Sequence, residues 1–194
     1  MILPMSFKTA VKKVKRKPKL FEFKEFGSKS IDFIDNADAP INIQHGAIRS
    51  GKTISSIITW LDFIANHPYD EFMESGKTRT SLYRNVLRPQ MSIMESLGID
   101  YEYRPNDGYI RIEDNTVWLV GFAHEGIAEI IRGMTIAGWK ADEVNTYSKN
   151  NVEEALDRLS IEGSRAFWDM NPDSPNHYVY KEYIINQSLR CWRY

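Results

Sequence analysis

The segment that most constrains this chain is Gly46-Ala47-Ile48-Arg49-Ser50-Gly51-Lys52-Thr53, which fits G-x-x-x-x-G-K-[ST]. The short apolar run Ile41-Asn42-Ile43 precedes it. TISSIITWLDFIA follows, with Ile54, Ile57, Ile58, Leu61 and Ile64 recurring at helical spacing. Strand, glycine-rich loop and helix in that order make a cradle for a polyphosphate. Backbone N–H groups and the positive helix end point at phosphate oxygens, and a Cβ at Gly51 would obstruct them. All eight residues from Gly46 to Thr53 are therefore candidate ATP contacts. Lys52 is placed to reach the β- and γ-phosphates, and the Thr53 hydroxyl to bind Mg²⁺.

The rest of the chain continues the α/β pattern. The run TSLYRNV reads as β-rich and Pro89–Leu97 as a helix, while IRIEDNTVWLV reads as two alternating strands joined at Asp114-Asn115. A short helix is expected near Glu125–Ile131, a strand in MTIAGWKA, a helix in NVEEALDRLS and a strand in SRAFWDM. Such alternation predicts a mostly parallel central sheet flanked by helices on both faces, with ligands outside the carboxyl ends of its strands.

Asp142-Glu143 follows the strand in MTIAGWKA, 91 positions after Lys52 in the case of the glutamate. Two adjacent carboxylates there can divide the work: Asp142 holds the magnesium or its water, and Glu143 polarises the water that attacks the γ-phosphate. A glutamate in that place suits a hydrolase rather than a kinase, which must exclude water. Guanine recognition would call for Asn-Lys-x-Asp, and the nearest match, Trp139-Lys140-Ala141-Asp142, has Trp where the Asn belongs. ATP is thus the expected nucleotide.

Two arginines could neutralise charge in phosphoryl transfer: Arg49 inside the loop, acting in cis, and Arg132, 11 positions before Glu143. Spacing does not choose between them. Asn171-Pro172 puts an amide at the carboxyl end of a strand, where it could sense the γ-phosphate or an ordered water. His45 and His177 have no companions at metal-ligand spacing and read as structural.

Composition limits the alternatives. With 194 residues and 42% apolar content, one domain with a sizeable core fits. The net charge of −1 hides an asymmetry: seven basic residues and no acid lie between Lys8 and Lys19, leaving 18 basic groups to 26 acidic ones elsewhere. Residues 1–30 read as a basic N-terminal arm, suited to a polyanion or a neighbouring subunit, and 31–194 as the ATPase domain. The acidic remainder speaks against a large constitutive DNA surface. The single cysteine, Cys191, excludes an internal disulfide and a cysteine-rich zinc site. No apolar run approaches the roughly 18 residues that span a bilayer, so no membrane association is expected.

Five segments in order, GAIRSGKT, SLYRNVL, IIRGMTIAGWKADEVN, DRLSIEGSR and MNPDSPNHYVYKEYI, resemble the ATPase half of the large terminase subunit of tailed bacteriophages, over Ile41 to Ile185. The resemblance implies a phosphate-loop NTPase fold with an additional catalytic glutamate. It also implies an ATP-driven motor that moves double-stranded DNA into a procapsid. Portal protein and small terminase subunit would be partners, with the chain monomeric alone and self-associating into a ring on the procapsid, in the cytoplasm of an infected bacterium. Arg49 resembles the family's loop arginine, Asp142 and Glu143 its metal aspartate and catalytic glutamate, and Arg132 the arginine proposed to act on a neighbouring subunit's ATP. Asn171 and Pro172 match the coupling motif. Asp169 stands where that motif has threonine, and Tyr178 where a Trp is usual.

The family's nuclease domain is not expected in this chain, which reads as a fragment or excised domain without metal-dependent DNA cleavage. Two other readings stay open: a nucleotide-binding assembly or DNA-binding module with little turnover alone, and another phosphate-loop DNA-dependent ATPase of the helicase or recombinase kind.

Overall fold

The computed structural model describes residues 21–47, 51–124, 126–171, 174–185 and 190–194. Their strands are β1 (Ile41–His45), β2 (Glu71–Gly76), β3 (Tyr101–Arg104), β4 (Tyr109–Ile112), β5 (Asn115–Gly121), β6 (Gly138–Ala141), β7 (Arg165–Met170) and β8 (Arg190–Arg193). One sheet contains them all, in the order β3-β4-β5-β2-β6-β7-β1-β8. Every pairing from β5 across to β8 is parallel, and only β3–β4 and β4–β5 are antiparallel. The expected α/β architecture with a mostly parallel sheet is the observed one.

Helices α1 (Ser28–Asn36), α2 (Lys52–Asn66), α3 (Arg79–Leu82) and α4 (Arg88–Leu97) carry the side chains that pack on one face of the sheet. Helices α5 (Ile127–Ile131) and α6 (Lys149–Asp157) do the same on the other. The helical spacing read in α2 is borne out, since Ile57, Leu61 and Ile64 are buried, and Trp60 and Phe63 join them. Each such side chain contributes about 1.5–3 kcal/mol by leaving water. Gly138 in β6 is explained by these aromatics. A Cβ there would lie 2.7 Å from Phe63 Cε1 and 2.8 Å from Trp60 Cζ3, so α2 can approach the sheet only over a glycine.

Several local expectations are corrected. The β-rich run TSLYRNV is helical: it enters α3 through a Thr78–Ser81 capping box and continues as a π-helical segment, Tyr83–Leu87. Tertiary packing overrides its β propensity, because Leu82, Val86 and Leu87 all bury on the first core face. The strand of this region is β2, whose polar Glu74 and Ser75 masked its period although both are fully buried. Strands β3 and β8 and helix α1 had no reading in the sequence. Helix α1 begins at Ser28, and before it Phe21 packs against the core while its N–H donates to Ser96 Oγ at 2.6 Å. The basic run Lys8–Lys19 lies outside the described residues. No helix among those residues is long and apolar enough to cross a membrane.

Candidate functional site

The carboxyl ends of β1, β7 and β6, adjacent in the sheet, bring the sequence-selected residues together. After β1, Gly46 donates its N–H to the Met170 carbonyl at 3.2 Å, and a Cβ on it would sit 2.5 Å from Tyr194 Cβ, so this glycine is required by close packing. Ala47 is exposed. Ile48, Arg49, Ser50 and Pro172 lie outside the described residues. Gly51 caps α2 with φ 91° and ψ −3°, a left-handed conformation that costs a side-chain-bearing residue roughly 1–2 kcal/mol. It turns the chain so that Lys52 and Thr53 begin the helix.

Lys52 is buried, with 7% exposure. Its Nζ donates to the carbonyls of Gly46 at 2.5 Å and Ala47 at 2.8 Å and approaches Asn171 Oδ1 at 3.5 Å. Burial lowers its pKa, opposed by the charges of Asp169 and Glu143. Asn171, just past β7, donates through Nδ2 to Glu143 Oε1 at 3.2 Å, so one amide spans the lysine and the glutamate.

Glu143 itself stands at φ 54°, ψ 52°, one of two non-glycine residues with positive φ among those described. Its N–H donates to Asp169 Oδ1 at 3.3 Å. Strained backbone at a polar edge is characteristic of functional sites. Asp142, 8% exposed, anchors its own N–H to the Ser75 carbonyl, and its Oδ2 lies 3.5 Å from Asn85 Nδ2. Burial, and then the neighbouring charge of Asp169, push the Asp142 carboxyl up to about 7. Two neighbouring carboxylates in a desolvated place repel one another, and Thr53 stands in the first turn of α2.

Arg132 is elsewhere. It follows α5, its side chain is 63% exposed, and its Nε lies 3.6 Å from Glu154 of α6. The chain beyond it leads to the amino-terminal edge of the sheet, where Ala137 donates to the Glu71 carbonyl. Among the described residues Arg132 makes no contact with the group formed by Lys52, Asp142, Glu143, Asp169 and Asn171.

Sequence reasoning missed two contributors. Asn85 reaches Asp142 from the π-helical segment, and a run read as strand could not reveal it. A cavity of about 440 Å³, lined by Phe21, Phe23, Phe26, Ser30, Gly51 and Ile54 among others, opens beside the loop. Its signal was present in the alternation FEFKEF.

No protein-family model and no curated protein matches the chain. Solved structures do. The large terminase of a thermophilic bacteriophage superposes with a TM-score of 0.82 at 27% identity, over 88% of this chain and 46% of that one. The same terminase in complex with ADP gives 0.80 at 25%, over 87% and 45%. The ATPase domain of the Thermus phage P74-26 large terminase gives 0.68 at 12%, over 88% and 81%, a likeness of fold alone. The chain spans a little under half the length of the first of these terminases.

Proposed function

We propose that this chain, which resembles the ATPase domains of phage large terminases in fold, hydrolyses ATP to drive double-stranded DNA into a procapsid. The observation that carries the reading is the convergence of Lys52, Asp142 and Glu143 beyond the carboxyl ends of β1 and β6, with Gly51 in the conformation a phosphate-binding turn needs. That the thermophilic phage terminase has been solved in complex with ADP supports nucleotide binding by this chain.

In the proposed reaction the loop amides and the start of α2 hold the phosphates. Lys52 leaves the Gly46 and Ala47 carbonyls for the more negative phosphate oxygens. Bound Mg²⁺, held by Thr53 and Asp142, would neutralise charge on the β- and γ-oxygens. Glu143 accepts the proton of the attacking water, and its backbone position is fixed by Asp169. Asn171, between Lys52 and Glu143, is positioned to report the γ-phosphate to β7. The base enters the cavity of Phe21, Phe23 and Phe26, where stacking on an aromatic ring contributes about 1–3 kcal/mol. Arg132, exposed and remote from its own chain's site, acts on a neighbouring copy in a ring, while Arg49 serves in cis.

DNA, portal protein and small terminase subunit are the proposed partners, and Lys8–Lys19 a proposed phosphate contact. Phosphate release is measured with Mg²⁺ as a function of protein concentration. The wild-type specific rate is expected to climb with concentration, Arg132→Ala to lose that climb, and Lys52→Ala to lose nucleotide binding. A flat wild-type rate indifferent to Arg132 contradicts the ring reading, and hydrolysis by Lys52→Ala contradicts the site itself.

A further inference from the structure

Asp169 has a carboxylate where the terminase resemblance would place a hydroxyl, and its surroundings give that charge a use. Ala141 of β6 is paired with Trp168 of β7, so the next rung of this parallel ladder sets Asp142 beside Asp169. Both project on the face that carries Phe167, the face covered by α2. They are 8% and 6% exposed. Asp169 uses Oδ1 for the Glu143 N–H, and its Oδ2 is buried without a hydrogen-bond partner. On the other side, Gln44 of β1 is in register with Asp169 and is wholly buried, and its Oε1 is a second acceptor without a partner.

Two neighbouring desolvated carboxylates repel, and an unpaired buried oxygen is costly, unless a cation joins them. The charge of Lys52 acts on Asp169 and that of Lys140 on Asp142, but the Lys52 Nζ donates to the Gly46 and Ala47 carbonyls and leaves Asp169 Oδ2 without a hydrogen bond. We propose that Asp169 is a second carboxylate of the divalent-cation site, so that Asp142 and Asp169 together bind a magnesium-type ion before any nucleotide arrives. No group of three His, Cys, Asp or Glu side chains among the described residues could hold a metal ion. The proposed site therefore rests on two carboxylates, with water or phosphate completing the octahedron that magnesium requires. The inference rests on the nucleotide-site reading above.

The added charge has two consequences of opposite sign. Asp169 strengthens binding of the cation and, facing the same phosphates, weakens binding of a nucleotide that comes without one. A residue needed only to hold Glu143 in place would not produce this pair of effects.

The test uses the full chain as wild type, Asp169→Asn and Asp169→Thr. Asn keeps an acceptor for the Glu143 N–H, and Thr restores the residue usual in the motif. Mn²⁺ binding to the protein alone is followed by electron paramagnetic resonance, and binding of a fluorescent ADP analogue is followed in EDTA. Both variants are expected to lose about tenfold or more in Mn²⁺ affinity and to bind the analogue in EDTA more tightly than wild type, by about two- to fivefold. Unchanged Mn²⁺ affinity in both variants overturns the inference. So does a parallel loss of Mn²⁺ and analogue affinity, which would make Asp169 a structural acceptor only. If the wild type fails to bind the analogue under any condition, the nucleotide-site reading falls, while the Mn²⁺ comparison still decides whether Asp169 is a ligand.

Discussion

Two buried acidic sites lie one step apart along β6, and they differ in what faces the acid. At the first, Glu74 of β2 faces Lys140 across the ladder, both essentially without exposure. Glu74 Oε1 accepts from Trp60 Nε1 of α2 at 2.5 Å and from Gln90 Nε2 of α4 at 2.8 Å. Burial pushes the Glu74 carboxyl up, and Lys140 and the two donors pull it back. At the second, Asp142 faces Asp169, like charge beside like charge, with a 3.5 Å approach from Asn85 and an unpartnered Asp169 oxygen. The first site ties two helices and two strands together. The second sets two acids together, and the positive charges of Lys140, beside Asp142, and Lys52, beside Asp169, offset them only in part. Both are buried and both hold polar atoms without hydrogen-bond partners, Glu74 Oε2 and Lys140 Nζ at the first and Asp169 Oδ2 at the second, so what separates them is the charge across the ladder: acid facing base, or acid facing acid.

The comparison breaks most visibly through Glu74→Leu. Removing the acid leaves Lys140 buried without its counter-charge, and chemical denaturation is expected to show a loss of about 3–5 kcal/mol. A loss below about 1 kcal/mol, the scale of an exposed pair, would mean that Glu74 is not a tie.

Asp142→Asn should do the reverse in metal-free protein. The folded carboxyl sits near 7, above its unfolded value, so its contribution to stability is complete below the unfolded pKa and is lost as pH rises through 7. Amide replacement is therefore expected to raise the melting temperature by about 3–6 °C at pH 8 and to leave it unchanged at pH 4, as read by calorimetry. A lower melting temperature at pH 8 would show that Asp142 is compensated after all.

The smallest effect belongs to Arg132→Ala. Its exposed pairing with Glu154 carries about 0.5 kcal/mol or less, so the melting curve should hardly move even though the concentration dependence of hydrolysis is lost. A large destabilisation would reassign Arg132 to structure.

The loop and its helix were legible because their signals are local. Gly51 must be left-handed, and the apolar positions of α2 repeat every turn. Asp142 and Glu143 were legible once the loop was known, because two adjacent carboxylates follow a readable strand. Glu74 and Lys140 were not. In a one-dimensional pattern each looks like a break in a strand, and only β2–β6 pairing shows that they meet. The same holds for Asn85, whose run was read as strand until its buried neighbours drew it into a helix. Asp169 was read as a departure from a motif. The step that sets it beside Asp142 is a property of sheet order, which places β7 between β6 and β1.

The central claim is that Glu143 activates water for ATP hydrolysis at this edge. The direct measurement is single-turnover phosphate release with Mg²⁺ by wild type and Glu143→Gln, with nucleotide binding measured on the same samples. The account predicts that the variant binds nucleotide as wild type does and releases phosphate at least about 10²-fold more slowly. Equal release by both proteins would contradict it.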